Sequence, residues 1–140
     1  MTPQEKALVP PQNTDAESSV LGSILLEGTL IETVADQLMP ADFYRAAHGR
    51  IYETMLELYR DGEPIDALTV SNKLEEAKAL DDIGGASYLA ELTGAVPSTA
   101  NFGSYADIVS KKATLRRLIS ASREISELAF KESDAGGNIV

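Results

Sequence analysis

A chain of 140 residues suits one domain with its own core, and 44% hydrophobic against 24% charged residues excludes disorder by composition. With 22 acidic against 12 basic residues the net charge is −10, so the average surface repels phosphate and charge-driven binding of nucleic acid by this domain alone is disfavoured, a local basic patch aside. The absence of cysteine excludes disulfides and thiol catalysis and allows a reducing cytosol, one histidine argues against a structural zinc, residues 1–11 lack the apolar run of a secretory signal, and no stretch approaches the ~20 residues of a membrane span, so a soluble protein is expected.

Residues 1–13 are polar and contain prolines, which predicts a flexible arm. Thr14 opens a capping box in which Glu17 reaches back to the cap. The helix after it carries Ala16, Val20, Leu21, Ile24 and Leu25 at helical spacing. Gly22 in its middle costs about 1 kcal/mol against alanine, which implies a close helix–helix contact as compensation. Gly28 ends this helix. A short second helix runs from Leu30 to Leu38, with Ile31, Val34, Ala35 and Leu38 on one side, and Pro40 stops it.

The third helix, Ala46 to Arg60, has the clearest stripe: His48, Ile51, Tyr52, Met55, Leu56 and Tyr59. Asp61-Gly62-Glu63-Pro64 is its stop signal. Asp66 or Thr69 caps a fourth helix carrying Val70, Leu74 and Ala77. Leu80, Ile83 and Gly84-Gly85 form a turn, and a short fifth helix follows with Tyr88, Leu89 and Leu92. These segments make a globular head over residues 14–95. Val96-Pro97-Ser98 breaks the chain, and Ser98 offers a cap to the last element.

That element, within residues 96–132, is a helix from about Asn101 to Lys131, roughly 45 Å long. Its apolar residues fall on heptad-like positions, among them Ile108, Leu115, Leu118 and Ile125, interrupted by Lys111, Ser122 and Glu132. The spacing predicts a helix that protrudes from the head and needs a partner. Residues 133–140, with Gly136-Gly137, read as a turn or the start of a linker. With no strand pattern and no repeat, the expected fold is all-α: a compact helical head plus one long protruding helix.

The chemistry is sparse. No G-x-x-x-x-G-K-[ST] phosphate loop occurs, and Gly84-Gly85 runs into Ala86-Ser87-Tyr88 without a lysine. His48 lies on an apolar stripe and reads as a buried, hydrogen-bonded structural residue. Glu75-Glu76 and Asp81-Asp82 are neighbours that do not face each other on a helix, so they read as solvated surface. Lys111-Lys112 with Arg116-Arg117 is the one basic concentration; it reads as solvated or paired with acids, with phosphate contact as the alternative. No catalytic, cofactor-binding or metal-binding residue is expected in this chain.

Several strings go further. Pro10-Pro11-Gln12-Asn13, Asp15-Ala16-Glu17 and Ser19-Val20-Leu21-Gly22 come first. Asp42-Phe43-Tyr44 with His48 and Ile51-Tyr52 follows, then Gly62 with Pro64-Ile65-Asp66. Next are Ile83-Gly84-Gly85 with Tyr88-Leu89, and Pro97-Ser98 with Ala100-Asn101. Tyr105-Ala106, Ile108-Val109 and Arg116-Arg117-Leu118-Ile119 close the series. In this order and register, across about Pro10 to Lys131, the chain resembles the N-terminal domain of bacterial replicative DNA helicases of the DnaB type.

The resemblance implies more than the residues do. In that family a second, RecA-like domain hydrolyses ATP with Mg and pulls DNA. None of its motifs is present, so the chain is expected to be either a piece ending after the first domain or a naturally short paralogue. The last helix would be the first arm of a helical hairpin. N-terminal domains would pair through their hairpins, and three pairs would form a collar on a hexameric ring. That collar would dock the C-terminal domain of primase and meet DNA only through the parent ring. On this view Ile108, Leu115, Leu118 and Ile125 serve self-association, and Tyr88, Ile119 and Ile125 are candidates for primase docking. The alternatives are a stand-alone helical adaptor and a weak DNA-binding domain.

Overall fold

The computed structural model describes residues 9–134, and among them there are six α-helices, three 3-10 turns and no strand. Most of the expected arm, 1–13, and of the expected turn, 133–140, lies outside the described residues. Ser133 and Asp134 are still helical.

Helix α1 spans Thr14–Leu26. Its cap is Asn13, whose side-chain oxygen accepts from the Ala16 N–H at 2.9 Å, so the expected Thr14–Glu17 capping box does not form. Asn13 competes better for the orphan amides because its carbonyl reaches the third residue from one position earlier. Glu27 rather than Gly28 closes the helix, and Gly28 opens a 3-10 turn, Gly28–Leu30. Helix α2 is a single turn, Ile31–Val34, shorter than the expected Leu30–Leu38. The Gln37 and Leu38 amides both turn back onto the Val34 carbonyl. A further 3-10 turn, Pro40–Asp42, follows, with Met39 held extended ahead of the proline.

Helix α3, Ala46–Arg60, has the bounds its periodicity predicts. Its stripe residues His48, Ile51, Tyr52, Met55 and Leu56 are buried, whereas Tyr59 at the end is 41% exposed. Gly62, at φ +70, lets the chain reverse, with Gly62 N–H donating to the Tyr59 carbonyl and Glu63 N–H to the Leu58 carbonyl. In helix α4, Ala67–Glu76, both expected caps work together: Asp66 Oδ1 accepts from the Thr69 amide and Thr69 Oγ1 from the Asp66 amide, each at 2.9 Å. Val70 and Leu74 are buried, but Ala77 is exposed. The 3-10 turn Asp81–Ile83 leads into α5, Gly85–Gly94.

Helix α6 runs from Phe102 to Asp134, 33 residues and about 50 Å. Ser98 does not cap it; its hydroxyl accepts from the Ala100 amide two residues on.

Helix α1 sits at the centre of the head. It packs mainly against α6 and α5 and also against α3. Gly22 is what permits the α5 contact: a Cβ there would overlap the Leu92 carbonyl and lie 2.6 Å from a Val96 methyl. Around this line Val20, Leu21, Ile24, Leu38, Ile51, Tyr52, Met55, Leu74 and Leu89 close an almost wholly aliphatic core. The Tyr52 hydroxyl donates to the Leu38 carbonyl at 3.0 Å, and burial, followed by the charge of Asp42, pushes this phenol's pKa above its ordinary range. No described helix is long and apolar enough to cross a membrane.

Candidate partner-binding surface

Helix α6 leads two lives. Phe102, Ala106, Val109 and Ala113 are buried against the head at spacings of four, three and four residues. Past Ala113 no side chain of α6 is buried, and from Ser120 to Asp134 every residue is exposed. Leu115, Leu118, Ile125, Leu128 and Phe130 stand out at 44, 61, 68, 61 and 71% exposure. At about 100° per residue, Leu115, Leu118 and Ile125 lie on one stripe, roughly opposite the four head-facing residues. Ser122 and Ala129 fill the same stripe with small side chains.

This separates the residues read as self-associating. Leu115, Leu118 and Ile125 share the free stripe. Ile108 does not join it: it is half-buried and packs against the head core. The heptad reading fails there because the first part of α6 is already occupied by its own head. Lys111 is exposed and interrupts the would-be seam at that point.

The three docking candidates are not brought onto one face. Ile125 belongs to the free stripe, while Ile119 is half-buried at the base of the arm and lies off that stripe. Tyr88 belongs to the head rather than to the junction with the arm. Its hydroxyl contacts His48 Nε2 and accepts from Arg45 Nη1 at 3.3 Å, and the Arg45 guanidinium lies 5.7 Å from its ring centroid.

Behind Tyr88 lies a polar cluster. Glu17 is 1% exposed, and its carboxylate accepts from the Tyr44 amide at 2.7 Å, the Arg45 amide at 3.4 Å and His48 Nδ1 at 2.8 Å. A carboxylate only accepts, so Nδ1 carries a proton and Nε2 faces the Tyr88 hydroxyl. The Glu–His–Tyr order resembles a proton relay, yet His48 is fully buried and both its ring nitrogens are engaged within the head. The cluster joins α1, α3, α5 and the 42–45 loop. His48 is thus buried and hydrogen-bonded, as expected; Glu17 is buried with it, where a helix-capping role is expected.

Two of the four residues of the basic concentration are also spoken for. Arg116 donates to the Pro11 carbonyl at 2.8 Å and the Asp42 carbonyl at 2.6 Å, and its guanidinium lies 5.5 Å from the centroid of the Tyr44 ring. Arg117 donates to Asp42 Oδ1 at 2.6 Å. Among the described residues no group of His, Cys, Asp and Glu is arranged to hold a metal.

Residues 9–111 match the family described as DnaB-like helicase N terminal domain. The chain belongs to that family. Replicative DNA helicase DnaB of Geobacillus stearothermophilus is 43% identical over 126 residues, covering 90% of this chain and 28% of that protein. The DnaB of Treponema pallidum is 42% identical over 139 residues, 99% of this chain and 32% of that one. The chain therefore spans about a third or less of the length of these curated relatives.

The solved N-terminal domain of DnaB from Mycobacterium tuberculosis superposes with a TM-score of 0.86 at 46% identity, over 89% of each chain. The corresponding domain from Helicobacter pylori superposes with a TM-score of 0.72 at 28% identity, over 83% of this chain and 90% of that one. That structure is described together with its interactions with primase, as is a longer DnaB-like replicative helicase matched at a TM-score of 0.77 and 35% identity, over 88% of this chain and 30% of that one. The DnaB N-terminal fold is all-helical here as there, with the long C-terminal helix present.

Proposed function

We propose that this domain is an assembly and docking module of a replicative helicase, pairing with copies of itself to build a collar and presenting that collar to primase. The observation that carries the reading is the free apolar stripe of α6, which faces away from the head that buries the helix's other side. Exposed apolar stripes mark partner surfaces. The primase interactions described for two structural neighbours support the second half of the reading. ATP, Mg and DNA translocation belong to the further domain of such helicases, in the bacterial cytoplasm, and the absence of a phosphate loop from this sequence fits that division of labour.

Sedimentation of the wild type and of Leu118→Asp tests self-association. Concentration-dependent dimer, lost in the variant, is the expected result; a strict monomer at high concentration in both overturns it. For primase, calorimetric titration with its C-terminal domain is run beside a melt of Ile119→Ser. A docking role predicts a loss of about tenfold, or 1.4 kcal/mol, from a variant that still melts as the wild type does. Undiminished binding by a folded variant removes Ile119 from the site.

Direct DNA binding by the 111–117 patch is the weaker reading, because Arg116 and Arg117 are already bonded to Pro11 and Asp42. Adaptor function without a motor is decided by a phosphate loop in the gene beyond Val140.

A further inference from the structure

Beyond its last buried side chain, the arm is tied to the head by polar contacts. Helix α6 buries its last side chain at Ala113. One turn later Arg116 spreads its two guanidinium nitrogens between the Pro11 and Asp42 carbonyls, and Arg117 reaches the Asp42 carboxylate. The Arg116 guanidinium also sits by the Tyr44 ring. A planar fork satisfied at two points holds a direction as well as a position.

The anchor on the head side is itself held from within the head. Asp42 is 6% exposed, and its second oxygen accepts from the Met39 amide at 2.9 Å, closing the 3-10 turn. The next two residues, Tyr44 and Arg45, have their amides gripped by buried Glu17. The loop is thus fixed from the core on one side and grips the arm on the other.

We propose that Asp42, Arg116 and Arg117 form a latch that sets the direction in which the α6 arm leaves the head. Without the latch, the helix from Thr114 to Ile119 is free to bend while the head stays folded. In the collar reading, on which the importance of this direction rests, the latch decides where a partner's arm is met.

The test measures arm direction, not pairing. The chain has no cysteine, so Asn72→Cys on α4 and Glu127→Cys on the arm, both exposed and the latter off the free stripe, take one spin label each. Pulsed electron-paramagnetic-resonance distances are collected in a Leu118→Asp background to keep the chain monomeric. With the latch intact a single narrow distance peak is expected. In Arg116→Gln/Arg117→Gln the peak broadens or shifts, while the thermal melt of the head is unchanged. An unchanged narrow peak in the double variant overturns the latch and leaves helix continuity as the determinant of direction. A peak already broad with the latch intact overturns it too. Should the double variant melt early, its distances are collected well below its own melting midpoint, where the head is folded, and the same two outcomes decide. Failure of self-association in the sedimentation test leaves this measurement unaffected, so the two readings fall separately.

Discussion

Two stretches of one helix, Phe102 to Ala113 and Thr114 to Asp134, both carry apolar side chains but meet different environments. The first presents one aromatic and three small aliphatic side chains to the head and buries them all. The second carries larger side chains, Leu115, Leu118, Ile125, Leu128 and Phe130, and leaves each of them in solvent. Hydrophobicity alone therefore does not place a residue in this fold. What separates the stretches is whether α1 lies alongside. The arm keeps its helix through continuity with the docked part and its latch, and its apolar surface remains unspent.

The strongest way to sharpen the contrast is to attack the head where it is polar. Glu17→Ala strands His48 Nδ1 and the Tyr44 and Arg45 amides without an acceptor, and a loss of about 3–5 kcal/mol is expected, read by denaturant unfolding. Ile51→Ala, at a fully buried site, is expected to lose about 2–5 kcal/mol; an unchanged midpoint would mean that α3 does not carry the core.

Alkali gives a milder probe. The folded chain holds the Tyr52 proton more tightly than the unfolded chain does, through burial first and the Asp42 charge second. Below the ordinary phenol pKa, about 10, both states are protonated and nothing changes. Above it the unfolded chain ionises and the folded one does not, so stability falls as pH rises. Of the five tyrosines, Tyr52 is expected to ionise only as helicity is lost, and Tyr52→Phe to remove that step. A phenolate titration complete before any loss of circular dichroism would contradict this.

At the far end lies Ile125→Ala, at a site 68% exposed. It is expected to leave the melt of the dilute monomer within about 0.5 kcal/mol of wild type; a loss as large as that of Ile51→Ala would erase the distinction between the two stretches.

What the sequence reveals follows the same divide. The bounds of α3, the buried His48 and the protruding last helix are legible because a periodic stripe and a stop signal are local information. The face that α6 turns to its head is not: Ile108 and Leu115 share a heptad position, and only the presence of α1 sends one toward the core and the other to solvent. Glu17 was hidden by a plausible local role, a capping box that Asn13 pre-empts. A signal for it did exist. Glu17 lies one turn before Val20 and Leu21 on their own apolar stripe, as His48 does before Ile51 and Tyr52, and an acid and a histidine on two apolar stripes are natural partners. The Arg116 contact with Pro11 spans 105 residues, and no local pattern announces it.

The central place of α1 has a consequence for biosynthesis. Helix α1 is translated well before its principal neighbours, α5 and α6. Until roughly Ala113 has been made, Val20, Leu21 and Ile24 lack the surface that covers them. Such long-range closure slows folding and exposes apolar chain in the interval. On a ribosome the head is therefore expected to stay incomplete, and open to chaperones, until the root of its own arm has cleared the exit tunnel.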